Sequence, residues 1–555
     1  MEAFATHEVF NQSTPLQDVN LYAGDRALRE GVRREGAAHA DEALSALGGR
    51  LGAAETLELG RLANEYPPVF KPYDRFGHRI DEVEFHPAWH SLMQLLIGEG
   101  VHATPWTEPG PGSQVARTAR YMLFAQVENG TQCPTTMTYA VAPVLARHPQ
   151  LAASWLPRLL SRDYDPRNAP LAAKRGVLMG MGMTEKQGGS DVRANSTRAE
   201  AAGSGEWGER YLITGHKWFM SAPMCDAFLI LAQTDPDSSA GLTCFFLPRW
   251  LPDGSRNALR IRRLKDKLGN RSNASSEVEF EQAQAYCVGD VGRGVRTILE
   301  MGNLTRLDCA IGSAGMMRWA LANALHHAAQ RAAFGKRLVE QPLMINLLAD
   351  LALESEAATA LVLRLARALD ERAADPAADA LIRIGTPLAK YWICKRGPGF
   401  AFEAMEVLGG NGYTEEAPLA RLYRELPVNS IWEGSGNVMC LDVLRALGRH
   451  PECHDALAAE LAAARGADRR YDAFVARLLR ELTPAALDEA QGRRITEDLA
   501  RAWQAALLLR GAPSAVADAF CAARLDAEAG GRLTFGALPA GVDMQAIVDR
   551  AMPAS

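Results

Sequence analysis

The chain has 555 residues, more than one hydrophobic core commonly serves, and 48% of them are apolar, so two to four packed domains are expected. A formal charge of −6 gives no bulk attraction for a polyanion, and any nucleic-acid partner would have to meet a local basic cluster. Nine singly spaced cysteines with no CxxC pair and no zinc spacing exclude a disulfide framework and a structural metal, and they point to reduced thiols in the cytoplasm.

The opening MEAFATHEVFNQSTPL lacks the basic patch and apolar run of a signal peptide, and no 18-residue apolar stretch follows anywhere, so no membrane partner is expected. Residues 1–182 mix turn signals (Tyr66 to Pro68, Pro105, Pro109 to Gly112) with helical segments at 113–128 and 151–160, and read as an N-terminal helical domain with an extension. Residues 183–292 change to short β-branched and aromatic runs, YLITG, AFLILAQ, LTCFFLP, LRIRRL and SSEVEFE, each bounded by turn residues. They predict an antiparallel β domain. Residues 293–446 return to helical spacing, with Leu347 and Leu351, then Leu361, Leu365 and Leu369, as the core stripe of a bundle. Residues 447–555 are Ala- and Arg-rich, interrupted by Pro484 and Pro513, and read as a fourth, C-terminal helical domain.

Within the β region, Gly203 to Gly208 spells GxGxxG, but YLITG follows as another strand where a dinucleotide fingerprint requires a helix, so the glycines are assigned to a hairpin loop. MTEKQGGSDVRANSTRAE (183–200) sets Thr184 and Ser190 beside Gly188 and Gly189, offering backbone N–H groups and hydroxyls. Taken alone it reads first as a tight turn. GHKWFMSAP (215–223) ends a strand with Trp218, Phe219 and Ser221, aromatic residues as suited to a domain core as to covering a flat ring. SIWEGSGN (430–437) encloses Glu433 between the Trp432 indole and a glycine and serine turn.

Four stretches carry a family resemblance. TEKQGGSD, GHKWFMS, RAAFGKRLVEQ (331–341) and LGGNGYTEEAPLARLYRELPVNSIWEGSGNVM (408–439) resemble, in order, the flavin loop, the GxKxWITN strand, the RxxFGxxLxxxQ helix and the EGT segment of the acyl-CoA dehydrogenases. KDKLGNRSNAS, ICKRG and PVNSIWEGSGNVMCLDVLR are similar to one branch of that family, the AidB flavoproteins of the adaptive response to alkylation. The resemblance implies an α+β, mainly α fold: N-terminal helical domain, middle antiparallel β domain and helical bundle, with an extra C-terminal helical domain after about residue 447. It implies FAD between β domain and bundle, with Thr184 and Ser190 on the flavin ring and phosphates, Trp218, Phe219 and Ser221 bordering the isoalloxazine, and Asn437 a further FAD contact. Arg331 and Gln341 would reach the FAD of a neighbouring subunit, which implies a homotetramer.

Oxidising a thioester between its α and β carbons requires a base for the α proton and an acceptor for the β hydride. Burial beside Trp432 raises the pKa of a glutamate toward the range of such a base, and Glu433 falls at the family's catalytic glutamate. Trp432 stands where the family has a phenol, and Ser435 where it has threonine. The bulkier indole narrows the acyl slot. The branch implies at most weak, isovaleryl-CoA-type dehydrogenase activity, in a DNA-binding protein that shields DNA or inactivates alkylating agents. The alternative is a metabolic short- or branched-chain acyl-CoA dehydrogenase.

Residues 446–555 hold 13 arginines, no lysine and 15 acidic residues, a net of −2. On an ideal helix Arg465, Arg469, Arg470, Arg477 and Arg480 share one arc, with Arg493, Arg494 and Arg501 as a second group. The residues alone read first as a solvated face paired with Asp468, Asp472 and Glu481. The resemblance implies instead that this region binds double-stranded DNA without base-specific readout.

Overall fold

The computed structural model describes residues 6–235, 241–482, 487–528, 530–532 and 534–554. Pro484 therefore lies outside the described residues.

Helices α1 to α8 occupy Arg26 to Leu159, among them α6 (Ser113–Ala125), α7 (Gln132–Leu145) and α8 (Pro149–Leu159). The helical reading of this region missed one hairpin, β1 (Val69–Tyr73) with β2 (Arg79–Glu84). Its half-exposed Phe-Lys-Pro-Tyr run has too few apolar residues to show an alternation of period two.

The sheet is built from β3 (Met179–Gly182), β4 (Arg198–Gly205), β5 (Gly208–Ser221), β6 (Ala227–Gln233), β7 (Leu242–Pro248), β8 (Leu259–Leu264) and β9 (Ser275–Val288). Pairings β4–β5, β5–β9, β9–β7, β7–β6 and β6–β4 close a ring, with β3 added beside β6 and β8 beside β9. Every residue of AFLILAQ and LTCFFLP is buried, which explains why these strands read as unbroken apolar runs. The antiparallel expectation needs one correction: β3 runs parallel to β6, as does the single β4–β6 bridge. β3 enters the sheet directly from the N-terminal helices, so the hairpin connection that enforces antiparallel pairing does not apply to it. The Gly203 to Gly208 motif forms the β4–β5 hairpin.

The bundle is formed by α9 (Gly294–Gln330), α10 (Pro342–Glu371), α11 (Pro376–Val407), α12 (Pro418–Glu425) and α13 (Gly436–Arg449). α9 is apolar on every side and passes through the centre of the molecule, packed on α6, α7, α10 and α11. Its Asp308 pairs with Arg117 of α6 at 2.5 Å with both side chains nearly shut from solvent, and its Arg318 pairs with buried Asp25 at 3.4 Å.

The C-terminal helices α14 (Pro451–Ala462), α15 (Arg469–Glu481), α16 (Gly492–Gly511), α17 (Ser514–Arg524) and α18 (Met544–Ala551) lie against the bundle. Trp503 of α16 is wholly buried, Trp392 of α11 donates to Gln504 Oε1 at 3.0 Å, and Arg364 of α10 meets Glu460 of α14 at 2.6 Å. The region is thus a second layer on α10 and α11.

Candidate active site

Glu433 lies between a short 3-10 turn (Leu426–Ser430) and α13, in the left-handed backbone region at φ 58°. A glutamate holds that conformation only where its surroundings impose it. Here Arg306 Nε donates to the Glu433 carbonyl at 2.9 Å and Lys390 Nζ to the Gly434 carbonyl at 2.7 Å. Arg306 is itself fixed by Asn303 and Asp442, each at 3.2 Å. So clamped, the backbone sends the side chain toward α9, where Thr305 Oγ1 donates to Glu433 Oε2 at 2.9 Å. Oε1 makes no hydrogen bond among the described residues. Burial raises the Glu433 pKa above the ordinary carboxylate value, while the Thr305 hydroxyl and the charges of Arg306 and Lys390 pull it back down.

Beside it the Trp432 indole N–H donates to Asn429 Oδ1 at 3.0 Å, and Asn429 Nδ2 donates to Ser313 Oγ at 3.1 Å. The indole is therefore anchored to α9 through Asn429 and Ser313.

The loop after β3 is held by an ion pair between two residues of the motifs named above, neither of them among the expected site residues. Glu185 and Lys217 are both fully shut from solvent and meet at 2.8 Å. Lys217 also donates to the Leu231 carbonyl at 2.8 Å, and Glu185 accepts from Ser196 N at 2.7 Å and Thr197 N at 3.2 Å. Trp218 N donates to the Thr184 carbonyl at 2.8 Å, so loop and strand are laced together residue by residue. Burial pushes Glu185 up, but the Lys217 charge and these hydrogen bonds outweigh it and hold the carboxyl at about 2. An added Cβ on Gly189 would lie 2.4 Å from Thr184 Oγ1, so the glycine is what lets the loop fold back over the threonine. Ser190 stands exposed at the loop's rim.

A register shift between Lys217 and Met220 breaks the alternation of β5. Lys217 and Met220 point inward while Trp218 and Phe219 share the outer side. The ammonium of Lys265 sits 3.3 Å from the Trp218 ring centre and 4.6 Å from that of Phe219, which is 50% exposed. Ser221 ends the strand beside the Cys133 thiol at the start of α7. The charges of Lys267 and Glu433 also act on that thiol, which puts the end of β5 within electrostatic range of the Glu433 turn.

Other expected residues lie elsewhere. Arg331 and Gln341 stand at the two bases of the hairpin of β10 (Ala332–Ala333) and β11 (Lys336–Arg337), where Gln341 Nε2 donates to the Ala333 carbonyl at 2.9 Å and Arg331 donates to the Asn11 carbonyl. None of their hydrogen bonds among the described residues reaches the Thr184 loop. Asn437 Oδ1 accepts from Arg493 Nε at 2.9 Å, tying α13 to α16. The arginine arc divides: Arg470 pairs with Asp468 at 2.5 Å and Asp518 at 2.6 Å, and Arg477 with Glu481 and Asp498. Arg494 pairs with Glu481, and Arg501 with Asp498. Arg465, Arg469 and Arg480 are exposed and form no ion pair among the described residues. The expected partner Asp472 instead accepts from Gly466 N at 3.0 Å and caps the turn before α15.

A cleft of about 2520 Å³ opens on the other face of α9, toward Asn303, Leu304 and Leu307, with Arg193, Arg293 and Arg296 along one wall. Gly302, Thr305 and Arg306 face Glu433, which is not among the walls of that cleft. The Glu433 turn offers a raised carboxyl with one unbonded oxygen, and the end of β5 offers the half-exposed Phe219 ring and the Ser221 hydroxyl.

Three family models match the chain: Adaptive response protein AidB N-terminal domain over residues 11–166, Acyl-CoA dehydrogenase middle domain over 180–283, and Acyl-CoA dehydrogenase C-terminal domain over 292–448. AidB of Escherichia coli K12 is 53% identical over 95% of this chain and 96% of its own length. Among solved structures, the apo form of Bd2924 is 31% identical with a TM-score of 0.82, covering 90% of this chain and 99% of its own. Caenorhabditis elegans ACDH-11 in complex with C11-CoA is 27% identical with a TM-score of 0.84, covering 100% of this chain and 95% of its own.

Proposed function

Since the chain belongs to the acyl-CoA dehydrogenase family, we propose that it is a FAD-containing, acyl-CoA dehydrogenase-like oxidoreductase in which Glu433 removes the α proton of a thioester. The Glu433 turn carries this reading: a carboxyl with a raised pKa, aimed by two backbone clamps and one hydroxyl, with Oε1 left to accept a proton. The residues fit the cofactor through the loop at Thr184 and Ser190, the outward Phe219 ring and Ser221. FAD supplies the two-electron acceptor for the β hydride. As the α C–H and β C–H bonds break and the Cα=Cβ bond forms, Glu433 keeps the proton, and the anchored Trp432 bars water and long acyl chains from the slot. Short or branched thioesters of the isovaleryl-CoA kind are the substrates that this slot suits, with slow turnover. Incubation with such thioesters and an artificial electron acceptor, followed by mass analysis for the 2-enoyl product, tests the reading. No product from any of them would reject it.

A second reading rests on Arg465, Arg469 and Arg480. Three solvent-facing arginines without carboxylate partners support sequence-independent contact with duplex phosphates. The AidB N-terminal match supports a role in the response to alkylation, shielding DNA or inactivating alkylating agents beside it. The wholly exposed Phe334 at the hairpin tip and exposed Leu343 next to it support a homotetramer in which Arg331 and Gln341 reach a neighbour's FAD. Random duplex should bind with an affinity that falls steeply with salt. Binding that ignores salt would remove the phosphate contact from the account.

A further inference from the structure

The base of the β10–β11 hairpin is held from outside by the N-terminal segment. The two strands pair through two residues each and are joined at Phe334 and Gly335, both in the left-handed region at φ 52° and 78°. A ribbon so short does not keep its shape alone in water. Gln341 braces it at the Ala333 carbonyl, and Asn11 braces its outer edge. Asn11 Nδ2 donates to the Ala332 carbonyl at 2.9 Å and Asn11 Oδ1 accepts from Ala332 N at 2.8 Å. One carboxamide thus pairs with the edge of β10 as a neighbouring strand would.

Asn11 is itself fixed. Its φ of 54° lies in the left-handed region, which asparagine tolerates better than most residues. The residues after it are bonded to the last turn of α9: Ser13 Oγ shares a hydrogen bond of 2.8 Å with His327 Nδ1, Thr14 N donates to Gln330 Oε1 at 2.9 Å, and the Thr14 hydroxyl and carbonyl meet His326 Nε2 at 3.2 and 2.9 Å. Leu16 then enters the core. From this anchored segment the Asn11 carbonyl takes one N–H of the Arg331 guanidinium, a group that carries five. Arg331 is half-buried and has no carboxylate partner among the described residues. Its charge and its other donors are therefore left, in one set direction, for an anion from outside the chain.

We propose that Asn11 is a positioning residue for the FAD of a neighbouring subunit: it props the hairpin and aims the Arg331 guanidinium at the phosphates of that cofactor. The inference rests on the reading above in which Arg331 reaches a neighbour's FAD, and it adds the element that sets the direction of that arginine. A planar fork of donors binds a phosphate at two points only when its orientation is fixed, which is what the Asn11 carbonyl and the braced hairpin supply. Asn11 touches no cofactor atom and acts through Arg331.

FAD titration of the flavin-free wild type, Asn11→Gly, Arg331→Gln and the double variant, followed by flavin fluorescence and accompanied by flavin-free melting temperatures, tests this. Asn11→Gly removes the carboxamide and leaves the left-handed backbone accessible. It should weaken FAD binding about 3- to 10-fold at an unchanged flavin-free melting temperature, and Arg331→Gln should weaken it at least as much. The double variant should bind no worse than Arg331→Gln alone, because a positioning residue loses its effect once the residue it aims is gone. Unchanged affinity in Asn11→Gly beside a weakened Arg331→Gln would overturn the inference alone. Losses that add in the double variant, or a lowered flavin-free melting temperature in Asn11→Gly, would also overturn it alone, by giving Asn11 to the fold. Unchanged affinity in Arg331→Gln, or a wild type that takes up no FAD, would overturn it together with the reading on which it rests.

Discussion

A carboxylate in water titrates near pH 4.3 and is too weakly basic for the α C–H of a thioester. Glu433 is moved upward by burial and partly restrained by Thr305, Arg306 and Lys390. The base works only when deprotonated, so the rate of thioester-driven flavin bleaching should rise with pH through an inflection above the ordinary carboxylate value. Thr305→Val removes a bond that favours the charged form and should carry the inflection higher still. An inflection that moved down, measured by stopped-flow absorbance across pH, would contradict the assignment. Lys390→Met loses both its charge and the clamp on Gly434, and should lower the limiting rate as well as raise the inflection. Glu433 and Trp432 were legible in the sequence because one short motif holds them together. Thr305, Arg306 and Lys390 were not, because they come from two other helices and only the packing of α9 and α11 brings them to the turn.

At the scale of elements, the loop after β3 and strand β5 act as one unit through Glu185 and Lys217. Removing one partner of a wholly buried pair typically costs about 3–5 kcal/mol, so Lys217→Met should lower stability by that order in chemical denaturation and loosen FAD retention with it. Glu185 is held at about 2 in the fold and sits near 4.3 in the unfolded chain. Its contribution is complete above pH 4.3 and disappears as pH falls from there toward 2, a window that Glu185→Gln should remove from the acid-unfolding curve. A sequence signal for this pair did exist. Alternation from Ile213 puts Lys217 on the inward side of β5, and a lysine there requires a buried partner. The arginine arc shows the opposite limit. Helical spacing placed Arg469, Arg470, Arg477 and Arg480 on α15, but Arg465 lies in the turn before that helix rather than on its arc, and distant Asp518 and Asp498, on α17 and α16, decide which of them are occupied. Charge reversal at Arg465, Arg469 and Arg480 should abolish duplex binding at unchanged melting temperature. Reversal at Arg470 should cost stability instead, and equal effects of the two on DNA would reject the division.

At the scale of the molecule, α9 presents Thr305 and Arg306 to the Glu433 turn on one face and lines the arginine-walled cleft with the other. The order of helical region, sheet and bundle was legible from the change of hydrophobic period along the chain. The closure of the sheet into a ring and the burial of α16 against the bundle were not, because both depend on contacts between segments far apart in sequence. The central claim is that Glu433 and a flavin act together on a thioester. Its most direct test is anaerobic titration of the FAD-loaded protein with isovaleryl-CoA, followed by flavin absorbance, for the wild type and Glu433→Gln. The account predicts bleaching in the wild type and a rate at least about 100-fold lower in the variant. Equal bleaching in both proteins, or none in the wild type with isovaleryl-CoA or other short and branched thioesters, would contradict it.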